Sequence, residues 1–142
     1  MAHYRAQLEV RRPIDEVFGY LANFANTEEW DPGVASARKR GDPPLGVGSE
    51  FDVVSKFLGR EVPLVYRIVQ YDPPGRVVLE AENAHLRAVD TITFEKTTRG
   101  TSITYDANLA PKGVRHVGDL ALHLAFQWIG RRALAGLRAA LA

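Results

Sequence analysis

The sequence predicts an α+β fold in which a curved antiparallel sheet grips a long closing helix. Two observations carry this. Five or six short segments with a two-residue hydrophobic period run through the middle of the chain, and about 28 residues, Val114 to Leu141, then read as one amphipathic helix. A third is the helix-sized segment that follows the first strand. A helix placed after a run of antiparallel strands buries its apolar side on their concave face, and the space left between helix and sheet is where function would reside.

In the opening strand Tyr4, Ala6, Leu8 and Val10 alternate with Arg5, Gln7 and Glu9, so one face is wet, and the strand ends near Arg11. Pro13 suits the first turn of a helix, Asp15 and Glu16 fall at its positive dipole end, and Ile14, Val17, Phe18 and Leu21 form one stripe. Ala25 to Glu29 can add a turn or two, closed by Trp30-Asp31-Pro32-Gly33, because Pro32 disfavours a helical Asp31. Val34 to Lys39 is a weak strand. Ser49 to Leu58 puts Phe51, Val53, Ser55 and Phe57 on one face, Leu58-Gly59-Arg60-Glu61 reads as a tight hairpin, and Glu61 to Tyr71 returns. After the turn Asp72-Pro73-Pro74-Gly75, Val77, Leu79 and Ala81 alternate with Val78, Glu80 and Glu82. Leu86 to Lys96 sets Ala88, Asp90, Ile92 and Phe94 on one face; Thr98-Arg99-Gly100 turns; Ile103, Tyr105, Ala107 and Leu109 give the last strand its apolar side. In the closing helix Val117, Leu120, Ala121, Leu124, Trp128, Ala135 and Leu137 to Leu141 form the expected apolar surface, with His116, Asp119, His123, Gln127, Arg131 and Arg138 opposite. Gly118, Gly130 and Gly136 weaken this helix in isolation, so packing has to stabilise it.

The 142 residues, 46% hydrophobic and 25% charged, suit one domain spanning 1–142 with a single core, and no apolar run reaches the ~20 residues of a membrane span. Met1 to Arg12 lacks the apolar core of a signal peptide, so the expected location is the cytoplasm. Eighteen basic and seventeen acidic side chains leave a net charge of +1, too balanced for a protein that binds nucleic acid by neutralising phosphates. The expected partner is a small hydrophobic ligand, with no nucleic acid, no stable membrane insertion, and a monomer or homodimer as the assembly.

Gly46-Val47-Gly48-Ser49 lacks the third glycine of a dinucleotide fingerprint, and the chain has no P-loop, nucleophile elbow or zincin helix. No cofactor is indicated. His116, Asp119 and His123 share a helical face but gain no further ligand, so no metal is expected. Asp90 is the most suggestive residue: on the concave face its carboxylate must find donors or titrate at raised pH, and it could accept a proton or anchor a ligand hydroxyl. A twist of the strand that lets Asp90 bond backbone amides, Arg67 or Arg87 is the alternative. Tyr66, Tyr105 and Ser55 are inward hydroxyls on the same reasoning, and Asp90, Tyr66 and Tyr105 are the candidates for proton handling. The expected lining is Phe18, Leu21, Phe24, Trp30, Phe51, Val53, Ser55, Phe57, Tyr66, Ile68, Leu79, Asp90, Ile92, Tyr105, Leu120, Leu124 and Trp128. His85 falls in a loop, where exposure is the simplest expectation.

Pro13-Ile14-Asp15-Glu16-Val17-Phe18, Glu29-Trp30-Asp31-Pro32-Gly33-Val34, Gly46-Val47-Gly48-Ser49, Tyr66-Arg67-Ile68-Val69-Gln70-Tyr71-Asp72-Pro73-Pro74, Asp90-Thr91-Ile92-Thr93-Phe94, Gly100-Thr101 and the terminal helix together resemble the START-like, polyketide cyclase/dehydrase and lipid-transport superfamily, SRPBCC. Order and spacing carry the likeness over nearly the whole chain. It implies a helix-grip fold, two short helices after strand one, a seven-stranded antiparallel sheet round the C-terminal helix, and a deep apolar cavity between them. Members include lipid and hormone carriers, aromatase/cyclases and small bacterial proteins, so fold does not fix function. The first expectation is a carrier or sensor that encloses a hydrophobic or aromatic ligand, lipid- or polyketide-like, against Trp128, Leu124 and the sheet. A cyclase or dehydratase that uses Asp90, Tyr66 or Tyr105 is the second, and a toxin-like member of a toxin–antitoxin pair the third.

Overall fold

The computed structural model describes residues 2–57, 59–112 and 119–142, the side chains of 119–122 excepted. Strand β1 (Ala2–Val10) is followed by α1 (Ile14–Ala22), a 3-10 turn (Phe24–Asn26) and α2 (Thr27–Trp30). Six strands follow: β2 (Val34–Lys39), β3 (Glu50–Phe57), β4 (Arg60–Asp72), β5 (Arg76–Glu82), β6 (Leu86–Lys96) and β7 (Thr101–Pro111). Helix α3 (Asp119–Ala140) closes the chain. The strands form one antiparallel seven-stranded sheet in the order β1-β7-β6-β5-β4-β3-β2, a helix-grip architecture as the resemblance implies. The expected helical residues 114–118, the face built on His116, and Leu58 of the β3–β4 hairpin lie outside the described residues, as does the side chain of Leu120.

Local chemistry explains the boundaries. Pro13 has extended backbone and its carbonyl accepts the first helical bond from Val17 N at 3.1 Å, while Asp15 and Glu16 occupy the first turn. The predicted stripe Ile14, Val17, Phe18 and Leu21 is buried. The register slips between Ile68 and Gln70 on β4 and between Val34 and Ser36 on β2. Each irregularity increases local twist and helps the sheet curl. Arg12 clasps the two ends of the fold: its guanidinium reaches Glu16 Oε1 at 2.7 Å and donates to the carbonyls of Leu141 at 3.2 Å and Ala142 at 3.1 Å. Those carbonyls follow a helix C-terminus, where a cation is favoured.

Helix α3 is rotated from the predicted phase. Its nearest backbone neighbours are β1 and α2, and Ile129, Gly130, Ala133, Leu134 and Leu137 face the sheet. At about 3.6 residues per turn, Leu124 and Trp128 fall roughly half a turn away. Both are exposed, at 59% and 55%. Glycine decides the phase. A Cβ on Gly130 would stand 2.5 Å from the Tyr4 ring, and one on Gly136 would overlap the Trp30 carbonyl oxygen, so glycine at these two positions lets the helix approach β1 and α2 closely. Leu124 and Trp128 therefore do not lie against the concave face; apolar residues surround the helix on most sides, and apolar character alone could not select its inner face.

The core fills only one end of the space under the helix. Phe18 packs edge-on against Tyr71 and Phe94, with ring centres 5.4 and 5.2 Å apart, and Phe24 meets Phe51 and Tyr66. Ile68, Leu79 and Ile92 are completely buried among them. No helix among the described residues is long and apolar enough to cross a membrane.

Candidate functional site

At the other end of the sheet the inward positions are small. Ala6 on β1, Ala88 on β6 and Ala107 on β7 take the places that phenylalanine, isoleucine and leucine fill at the packed end. They leave a cavity of about 170 Å³ between the sheet and α3. Trp30, Ser55, Phe57, Leu64, Leu86, Leu109 and Phe126 complete much of its wall. An apolar cavity of about 150 Å³ is enough to take up benzene, so this one has room for a ring or a short branched chain.

Two polar residues of the cavity are bonded to each other. Asp90 lies opposite Ala107 on β7, and Tyr105 lies opposite Ile92, so the tyrosine is diagonal to the carboxylate across the strand pair. Its hydroxyl donates to Asp90 Oδ2 at 2.5 Å. Asp90 is 9% exposed, and burial pushes its carboxyl up to about 7, partly opposed by the Tyr105 bond and reinforced by Asp31 and Asp106. Burial raises Tyr66 and Tyr105 well above the usual phenol range, and the Asp90 charge adds to both. Both phenols are therefore donors at any ordinary pH. Arg87 instead pairs with Glu80 at 2.7 Å, and among the described residues Asp90 bonds the Tyr105 hydroxyl rather than the arginines or backbone amides considered from sequence.

A second carboxylate, Asp31, also borders the cavity. Its Oδ1 accepts from Gly33 N at 2.8 Å, closing the turn after α2. Desolvation raises its titration, while the Gly33 bond and the Arg132 charge pull it back. In sequence Asp31 reads as a turn residue before Pro-Gly; only the approach of α3 over that turn encloses it. Trp30 stands beside Tyr105 with ring centres 6.0 Å apart, and its buried indole N–H has no partner among the described residues.

Of the residues expected to line one hollow, Trp30, Ser55, Phe57, Tyr66, Asp90 and Tyr105 do so. Phe18, Leu21, Phe24, Phe51, Val53, Ile68, Leu79 and Ile92 are buried core instead, because α1 and the turn after it plug that end of the sheet. Leu124 and Trp128 face outward; the helix presents Phe126, Ile129, Ala133 and Leu134 in their place. The spacing of those four, with Gly130 and Leu137, is itself a helical stripe, and it competes in sequence with the Leu124–Trp128 side. His85 is exposed in the β5–β6 loop.

The sequence matches the family described as polyketide cyclase / dehydrase and lipid transport over residues 1–142. No curated protein matches it. Among solved structures, a START superfamily protein from Mycobacterium smegmatis superposes with a TM-score of 0.81 at 10% identity, covering 98% of this chain and 96% of that one. TTHA0849 from Thermus thermophilus gives 0.79 at 16% identity over 96% and 94%. The di-domain ARO/CYC BexL from the BE-7585A biosynthetic pathway gives 0.74 at 15% identity, over 98% of this chain and 49% of that one. At these identities the superpositions establish the fold alone. With the family match spanning every residue, the chain belongs to the polyketide cyclase / dehydrase and lipid transport family.

Proposed function

We propose that this protein binds a small apolar or aromatic molecule, lipid- or polyketide-like, in the cavity beneath α3 and acts as its carrier or sensor. The observation that carries this reading is the division of the concave face: aromatic packing at one end, and at the other a hollow floored by Ala6, Ala88 and Ala107. Evolved cores are packed to near crystal density, so a hollow of this kind needs a reason. Its wall is mostly apolar, and a few polar groups, Asp90, Tyr105, Tyr66, Ser55 and Asp31 among them, would orient a hydroxyl or carbonyl on the ligand. Membership of a lipid-transport and cyclase family supports the same class.

The test is native mass spectrometry of the purified protein together with a thermal-shift panel of fatty acids, flavonoids and naphthols. A ligand at 100 times its Kd should add about 2.7 kcal/mol of stability. Silence across the panel, with no co-purified molecule, overturns the reading.

One observation favours a second reading, an enzyme of the cyclase or dehydratase type. A carboxyl that titrates near neutrality, bonded to a phenol inside a cavity, is suited to accept and return a proton while the walls fold a substrate. Asp90→Asn should then abolish turnover of a polyketide-like substrate and leave ligand binding within about threefold; unchanged turnover excludes Asp90 as the proton acceptor.

A further inference from the structure

A second hollow of about 210 Å³ adjoins the cavity beside the turn after α2. Gly33, Lys56 and Ile129 border both. They form the boundary between the two. This boundary is thin: Lys56 N donates to the Gly33 carbonyl at 2.7 Å, fixing the end of β3 to the turn, and a Cβ on Gly33 would stand 3.7 Å from Ile129 Cγ2. Beyond it, Trp128 and Arg132 of α3 complete the outer hollow, with the guanidinium carbon 4.7 Å from the centre of the Trp128 ring. That stacking holds the arginine over the opening.

The two hollows differ in character. Asp90 and Asp31 line the cavity; two exposed cations, Lys56 at the shared boundary and Arg132 on the outer hollow, form no ion pair within 4.0 Å among the described residues, although the Arg132 charge reaches Asp31. No acidic residue lines the outer hollow among those that border it.

We infer that this hollow is the mouth of the cavity and that Lys56 and Arg132 hold an anionic group of the ligand there, selecting an amphipathic aromatic or aliphatic acid whose apolar body enters past Gly33 and Ile129. The inference rests on the cavity-binding reading above and specifies its ligand class and orientation. An acid entering this way keeps its charge in water-accessible surroundings, where solvation is retained, and delivers only uncharged atoms to Asp90 and Tyr105. The reverse orientation would press the anion against two buried carboxyls. A planar carboxylate suits Arg132 well, because a guanidinium can bond both oxygens at once.

The probes are 6-hydroxy-2-naphthoate and its methyl ester, which differ only in the anionic charge, titrated by calorimetry at pH 7.5 in low and high salt. The acid should bind about tenfold more tightly than the ester in low salt and lose that advantage as salt rises. Lys56→Gln with Arg132→Gln should remove the difference while the ester keeps its Kd, which also shows that the double variant is folded. If the ester binds and the acid gains nothing, or if the preference survives the double variant, the mouth assignment is overturned and the cavity reading stands. If neither probe binds the wild-type protein and the wider panel is silent as well, the cavity reading falls and the mouth assignment with it.

Discussion

Replacing Asp90 by asparagine should change how stability depends on pH, by an amount set by the site. Asp90 titrates at about 7 in the folded protein against an ordinary 3.8. At about 1.4 kcal/mol per pH unit, that separation corresponds to about 4 kcal/mol. Between those values the folded chain holds a proton that the unfolded chain has released. Asp90 therefore contributes stability that is fully present below about pH 4, is lost as pH rises, and is gone once the folded carboxyl ionises above about 7. Asparagine has a similar shape, can accept from Tyr105 and never ionises. In urea unfolding at pH 4.5, 6, 7.5 and 8.5, the stability of Asp90→Asn relative to wild type should climb with pH by up to about 4 kcal/mol and then level off. The Tyr105 bond favours the ionised form, so Tyr105→Phe should shift the wild-type profile to higher pH. A difference that stays flat within about 0.5 kcal/mol across the range would refute burial as the force acting on Asp90.

Other outcomes follow from the packing. Gly136→Ala should destabilise by about 2 kcal/mol or more in denaturant melts, although alanine is the better helix former by up to ~1 kcal/mol, because the added methyl overlaps the Trp30 carbonyl. Trp128→Ala should change stability by less than about 0.5 kcal/mol, whereas Leu137→Ala should cost about 2–5 kcal/mol; the opposite ranking would place the helix in the phase read from sequence. Ala107→Phe should occupy the cavity and abolish the ligand-induced thermal shift with a stability change under about 1.5 kcal/mol; retained binding would locate the ligand elsewhere.

The order of elements was legible because each depends on neighbours in sequence. Pro13 with Asp15 and Glu16 marks a helix start wherever it is placed, and a two-residue period such as Ala88-Asp90-Ile92-Phe94 has only one face that can be buried. The same pairing rule made Asp90, Tyr66, Tyr105 and Ser55 recognisable as inward groups. The rest was settled by contacts between segments far apart in the chain. Phe18 and Phe24 plug one end of the sheet because α1 docks there, a fact with no local signature. Asp31 joins the site only because α3 crosses above its turn, and the mouth exists only where Gly33, Lys56 and Ile129 converge.

By itself, then, the chain determined its strands, its helices and which side of each strand turns inward, since alternation and capping act over a few residues. The tertiary structure alone decided which face of α3 meets the sheet and how much of the concave face stays open. Those depend on steric fit between residues more than a hundred positions apart, as where Gly130 accepts the ring of Tyr4. Hydrophobicity measures the drive to be buried; the room available is fixed by whatever arrives from the other side.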